Sequence, residues 1–420
     1  MLTMNLIADL GRSVGLSAVM RAAGLVTRLM PIPQPTLLVG PGASARLGQA
    51  VCGFGHRKVL IVTDPIVSGL GLLNRLTQAL TEGGTAFVVF DEITQDAPIP
   101  LIEKGIAVFK TEGCDAIVAF GGGSAMDAAK AIGLSAANHK SPRSLAGYFR
   151  GLHAPVPIYA VPTTAGTGSE VTVAAVISDL ENKKKLVIAD TRIVPKMAAL
   201  DPVLMTGLPR DVTAATGMDA LTHAIEAFIG HWSTDDSDRM ALAAVRMIYH
   251  NLRTVYRDGN NLAAREQMAL AATYAGLAFT RANVGNVHAI AHQLGGKYHT
   301  PHGLANAIML PHVLRFSSPA VNDKLAVLAL QAEVGTSGEQ EDVLAQKFLA
   351  SIDALSRDLD IPRQLNQLRK ADIPALARAA CREADINYPV PRYMSVESCE
   401  ALLRAVLPKP AARKKSKMRP

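Results

Sequence analysis

Two segments of the chain set metal-binding side chains one helical turn apart. In GMDALTHAIEAF, Asp219 and His223 stand at i and i+4, and in NVGNVHAIAHQLGG so do His288 and His292. On a helix that spacing puts both side chains on one face. His302 follows in TPHG, just after a proline, where a new helix can start. With 11 histidines in the chain, one such pair is unsurprising, and a lone histidine on an apolar helix is more often a core residue than a ligand. The combination carries more weight. One carboxylate and three imidazoles, from two helices and a loop, can form an open site for a divalent metal.

A second group of residues suits a phosphate-bearing ligand. Gly121, Gly122, Gly123 and Ser124 stand between an apolar run and an alanine-rich helical stretch. Glycines there let the backbone approach a pyrophosphate, and the helix N-terminus offers free N–H groups. Ser124 is expected as the N-cap, with Asp127 completing a capping box. The ordinary GxGxxG fingerprint would need glycine at Met126, so the triplet alone is either a tight turn or a phosphate cradle. PTTAGTGSEVT, residues 162–172, packs small hydroxyls and glycines into one loop. It suits a phosphate, a ribose or a nicotinamide amide, or it is a plain polar turn. Asp64, at the end of a strand-like run, is either an acid for the ribose hydroxyls or a helix cap.

Apolar runs over 58–64, 85–91 and 114–120 read as buried strands, with helical stretches over 67–84 and 99–113 between them. Strand–helix alternation implies a parallel sheet that binds its ligand at the carboxyl ends of the strands. Beyond Asp211 the pattern is helical throughout. We therefore expect a helical extension over 1–32, an α/β dinucleotide-binding domain over 33–205, an all-α metal-binding domain over 206–407 and a basic disordered tail over 408–420.

Composition narrows the function classes. About half the residues are apolar and 19% are charged, as in a globular enzyme. The net charge of +7 is almost all in the tail, where Lys409, Arg413, Lys414, Lys415, Lys417 and Arg419 stand with no acid. That tail reads as solvated, with weak anion, nucleic-acid or lipid contact as the other reading. The near-neutral remainder and the single Trp argue against specific nucleic-acid binding. No apolar stretch is long enough for a membrane span. Cys52, Cys114, Cys381 and Cys399 are far apart and form no CxxC pair, which fits a reducing cytoplasm. The first 30 residues, with Arg12, Arg21 and Arg28, read as a packing or docking helix, a membrane-surface helix or a targeting segment.

GGGSAMDAAKAIG, PTTAGTGSEVT, GMDALTHAIEAF and VHAIAHQLGGKYHTPHGLANAIMLPHVLRF together resemble the iron-containing alcohol dehydrogenases. That family includes lactaldehyde/propanediol oxidoreductases and bacterial butanol and propanediol dehydrogenases. The resemblance runs over roughly residues 33 to 405 and implies a fold like that of dehydroquinate synthase and glycerol dehydrogenase. It places Asp219, His223, His288 and His302 on the metal ligands and His292 on a proton relay beside them. Gly122, Gly123, Ser124 and Asp127 fall on the pyrophosphate loop. Thr163, Thr164, Thr167 and Lys185 fall on further cofactor contacts, and Asp64 on the acid tied to NAD preference. The resemblance implies NAD, a divalent metal that is Fe(II) with Zn(II) as the alternative, and hydride exchange with a primary alcohol, diol or hydroxy acid. It also implies a homodimer or higher homo-oligomer. A dehydroquinate synthase-like lyase or a metal-free maleylacetate-type reductase are the rival activities. Two departures stand out. Gln95-Asp96-Ala97 replaces the Pro-Asn-Pro usual in the family, and Arg281 stands where many members have Asn. Phe149, Phe279 and Arg281 are candidate pocket residues.

Overall fold

A computed structural model describes residues 24–25, 30–182 and 184–408. The proposed N-terminal extension and basic tail lie almost wholly outside these. Nine strands are described: β1 (Thr36–Val39), β2 (Lys58–Val62), β3 (Ala86–Phe90), β4 (Ala116–Gly121), β5 (Gly147–Tyr148), β6 (Ile158–Pro162), β7 (Ala174–Asp179), β8 (Lys184–Ala189) and β9 (Met197–Leu200). Six form a parallel sheet in the order β1-β9-β6-β4-β2-β3. Helices α1 (Ala43–Gly53), α2 (Pro65–Gly69), α3 (Asn74–Glu82), α4 (Ile99–Thr111) and α5 (Gly123–Asn138) connect them.

The unbroken apolar runs are explained by burial on both faces. Along β2, Leu60 and Val62 join the core beneath α4 and α5, while Val59 and Ile61 join the core beneath α1 and α3. The same alternation divides Ile117 and Ala119 from Val118 and Phe120 on β4. The sheet ends at Leu200, and no strand follows it among the described residues.

Two features differ from the sequence reading. The helical stretch over 67–84 is broken, because Gly71 adopts a left-handed φ of +68° between α2 and α3. A second, three-stranded sheet, β5-β8-β7, has no counterpart in it; β7 and β8 are antiparallel, and Lys185 lies on β8.

The helical part comprises α6 (Arg210–Ile229), α7 (Asp235–Arg257), α8 (Leu262–Ala282), α9 (Asn286–Tyr298), α10 (His302–Gln331), α11 (Glu341–Asp358), α12 (Ile373–Asn387) and α13 (Val396–Ala405). Alanine-rich faces on α6, α7 and α8 let these helices share one core. The loop 163–172 meets that part backbone to backbone. A Cβ added at Gly168 would lie 2.8 Å from Gly276 Cα on α8. Beside that contact, Thr273 Oγ1 donates to the buried Glu170 carboxylate at 2.8 Å.

Candidate metal centre and dinucleotide cleft

Helix α6 supplies Asp219 and His223, α9 supplies His288 and α10 begins at His302. One ligand atom from each lies within 4.8 Å of every other. His288 Nε2 is 3.9 Å and His302 Nε2 3.6 Å from Asp219 Oδ1, and His223 Nδ1 is 4.0 Å from Asp219 Oδ2. Gly303 permits the convergence, since an added Cβ there would lie 2.4 Å from Ala215 O on α6. Asp219, His223 and His288 are buried, whereas the His302 side chain is 35% exposed and leaves one side of the cluster open.

The donor chemistry fits a divalent cation. Burial lowers the pKa of His223 and holds that of His288 well below the ordinary imidazole range, so both rings are neutral and carry lone pairs. The His223 Nδ1 atom is buried without a hydrogen-bond partner, an expensive arrangement unless an ion completes it. Phe279 stacks on the His223 ring with centroids 4.3 Å apart and closes that flank.

Three supporting residues escaped the sequence reading. Glu226 Oε2 lies 2.6 Å from His288 Nδ1, and the same carboxylate accepts the backbone N–H groups of Gly285 and Val287. Burial pushes its pKa up to about 7, against those donated hydrogen bonds. Its position, three residues after His223 on one helix, is the signal that could have found it. Asn306 Nδ2 reaches Asp219 Oδ1 at 2.6 Å, His288 Nε2 at 3.1 Å and His302 Nε2 at 3.2 Å. It stands one turn after His302. Glu383, on α12, lies 2.6 Å from His292 Nδ1 and accepts from Gln293 and Tyr388. No spacing in the sequence could have paired residues so far apart.

His292 stands beside the cluster, stacked on His302 at 5.3 Å. Burial disfavours its charged form, but the Glu383 carboxylate outweighs this and its pKa is raised.

At the other end of the cleft, Gly122 is the N-cap of α5 and no side chain caps the helix. The expected Ser124 cap is therefore corrected. Ser124 lies inside the first turn, where its Oγ accepts the Asp96 N–H at 3.0 Å. Asp127 forms no capping box either. Its buried carboxylate accepts from Ser169 Oγ at 2.8 Å and Val176 N at 2.9 Å. Free helix N–H groups remain, as an anion site requires.

Thr164 and Thr167 lie directly over the glycine turn. Cβ atoms added at Gly122 and Gly123 would lie 3.4 Å from Thr164 Oγ1 and 2.7 Å from Thr167 Cγ2. Thr163 ties in through its N–H to Gly121 O at 3.0 Å. Lys130, also missed, pins this loop to α5. Its buried Nζ donates to Ser169 Oγ, Thr172 O, Thr172 Oγ1 and Ala174 O, and burial brings its pKa down to about 8.

Asp64 is a helix cap that also stands beside the glycine turn. Its Oδ1 caps α2 through Ile66 N and Val67 N, while Oδ2 lies 3.5 Å from the Cβ position of Gly121. Lys185 Nζ pairs with Asp96 at 2.6 Å. Phe149 follows β5, half-exposed, and Arg281 ends α8.

A glycine turn at the carboxyl end of a parallel strand, together with a carboxylate–histidine cluster, fits a metal-dependent, dinucleotide-linked enzyme. Comparison with known proteins narrows this. Residues 34–202 match the family model for iron-containing alcohol dehydrogenase, and residues 213–407 match that for the C-terminal part of the Fe-containing alcohol dehydrogenase family. The 1,3-propanediol dehydrogenase of Klebsiella pneumoniae is 40% identical over 87% of this chain and 95% of its own. The lactaldehyde reductase of Escherichia coli K12 is 38% identical, over 82% and 91%. The NAD-dependent methanol dehydrogenase of Bacillus methanolicus is 35% identical, over 89% and 98%. A crystal structure of a 1,3-propanediol oxidoreductase superposes with a TM-score of 0.87 at 38% identity, covering 90% of this chain and all of that one. The chain belongs to the iron-containing alcohol dehydrogenase family. It is an NAD-dependent alcohol dehydrogenase that uses a divalent metal.

Proposed function

We propose that the enzyme interconverts a short alcohol or diol with its aldehyde, and that Asp219, His223, His288 and His302 hold the metal. The observation that carries this reading is the convergence of those four side chains, with their open side at His302. When bound, the metal would supply a Lewis acid for the alcohol oxygen and the dinucleotide a hydride acceptor. Asp219 provides the one anionic oxygen of the set. Glu226 fixes the proton of His288 on Nδ1 and so leaves Nε2 to face the ion. His292, whose Nδ1 is engaged by Glu383, exchanges the substrate proton at Nε2.

Gly122, Gly123 and Ser124 would hold the pyrophosphate of the dinucleotide, and Asp64 its ribose. Thr163, Thr164, Thr167 and Lys185 would complete the lining, and Asp127 holds the loop that carries the three threonines. We assign the dinucleotide to residues 33–205 and the metal to 206–407. The relatives named for propanediol and lactaldehyde favour a short diol or hydroxy-aldehyde substrate.

No described helix is long and apolar enough to cross a membrane. The four cysteines form no disulfide, which suits a reducing cytoplasm, and a homo-oligomer is the assembly to test by light scattering. The function itself is tested by assaying short alcohols, diols and hydroxy acids with NAD after anaerobic Fe(II) or Zn(II) reconstitution. Turnover independent of added metal, or absent for every alcohol, would reject the reading.

A further inference from the structure

We infer that Asp96 competes with the bound dinucleotide for the Lys185 ammonium, and thereby sets how tightly the cofactor is held. This rests on the reading of Lys185 as a cofactor contact. The pair is close and sheltered: Lys185 Nζ lies 2.6 Å from Asp96 Oδ1, with side-chain exposures of 19% and 27%.

The turn that carries the carboxylate is also held in place. The Asp96 N–H donates to Ser124 Oγ, which ties residue 96 to the first turn of α5. Asp96 and Ala97 adopt φ values of +72° and +45°, and Ala97 O accepts the Ser178 N–H of β7. A backbone bonded on two sides keeps the carboxylate within reach of both the helix start and Lys185.

The location of Lys185 gives the pair its meaning. Its strand, β8, packs against α9. Its partner Asp96 is bonded to Ser124 in the first turn of α5, and α9 carries His288 and His292. Lys185 thus stands between the glycine turn and the histidines, where the half of the dinucleotide from pyrophosphate to nicotinamide has to lie. An arriving anion meets a positive helix end and a lysine, but also a fixed negative charge already paired with that lysine. Every contact Lys185 makes to the cofactor is therefore gained against one it makes to Asp96, and the cofactor leaves more readily than the rest of the site would allow.

The alternative, that Asp96 only holds Lys185 in position for the cofactor, predicts the opposite sign. Asp96→Asn distinguishes the two. It keeps the shape and removes the charge, and Asn tolerates a positive φ. NADH affinity and stopped-flow release are measured on the metal-loaded enzyme for Asp96→Asn, Lys185→Ala and the double variant. Asp96→Asn is expected to bind NADH about three- to tenfold more tightly and to release it correspondingly more slowly. Lys185→Ala is expected to bind more weakly, and most of the Asp96→Asn gain should vanish in its background. Unchanged or weaker binding by Asp96→Asn, with Lys185→Ala weakened, overturns the competition and leaves the cofactor site standing. Wild-type affinity in Lys185→Ala overturns both.

Discussion

Glu226 and His288 are 62 residues apart in sequence, yet Oε2 of one lies 2.6 Å from Nδ1 of the other. The contact decides which ring nitrogen of His288 carries the proton. With Nδ1–H given to Glu226, the lone pair of Nε2 faces Asp219. Glu226→Gln is expected to weaken metal binding about 10- to 100-fold, the usual cost of losing such a partner. Competition against a chromophoric chelator measures it. An affinity within about twofold of wild type would reduce Glu226 to a packing residue.

His288 and His292 share a helix face but not a role. His288→Ala should lose most of its bound metal. His292→Ala should keep it and turn over about 10- to 1000-fold more slowly. Metal per subunit separates the two. Full metal in both variants would refute the proposed ligand set, and metal loss in His292→Ala alone would reverse the roles.

Asp64→Ser keeps a side-chain cap for α2 and removes the negative charge beside the glycine turn. The NADP/NAD ratio of catalytic efficiencies should rise at least about tenfold, with thermal stability nearly unchanged. A ratio that stays put would mean that the acid serves the helix alone.

Burial holds His288 well below its ordinary pKa, and His223, His302 and His292 act in the same direction when protonated. The unfolded chain takes up a proton there near pH ~6.5, while the fold refuses it. The His288 contribution to stability is therefore lost as pH falls below that value. Metal-free wild type should lose thermal stability relative to metal-free His288→Ala between about pH 7 and about pH 5. Parallel stability curves would contradict this.

The sheet has an apolar core on each face, and α6 to α13 share another of their own. Chelation should therefore abolish activity and leave the helical circular dichroism signal largely intact. A matching loss of both would give the ion a part in folding.

Local signals in the sequence were read well and long-range partners were not. Asp219, His223, His288 and His302 were legible because each sits in a short, distinctive pattern, and they converge as those patterns imply. The parallel strands were legible because burial on both faces leaves uninterrupted apolar runs. Ser124 was misread because the backbone of Gly122 opens the helix and frees the hydroxyl for Asp96. Asp127 was placed at a cap because its partners, Ser169 and Val176, belong to a loop and a strand far along the chain. Glu383 and Lys130 act only through such distant partners and left no local trace.

Gly168 and Gly276 bring two backbones together, each within 2.8 Å of where the other would place a Cβ. One side of that joint carries Thr167, resting on the glycine turn, and the other carries Phe279, stacked on His223. The span from dinucleotide to metal is therefore gauged at a joint of main-chain atoms. Hydride transfer needs such a gauge, since a misplacement of about 1 Å can cost about 100-fold in rate. A single methyl group at either glycine would leave both stations whole and set them at the wrong distance.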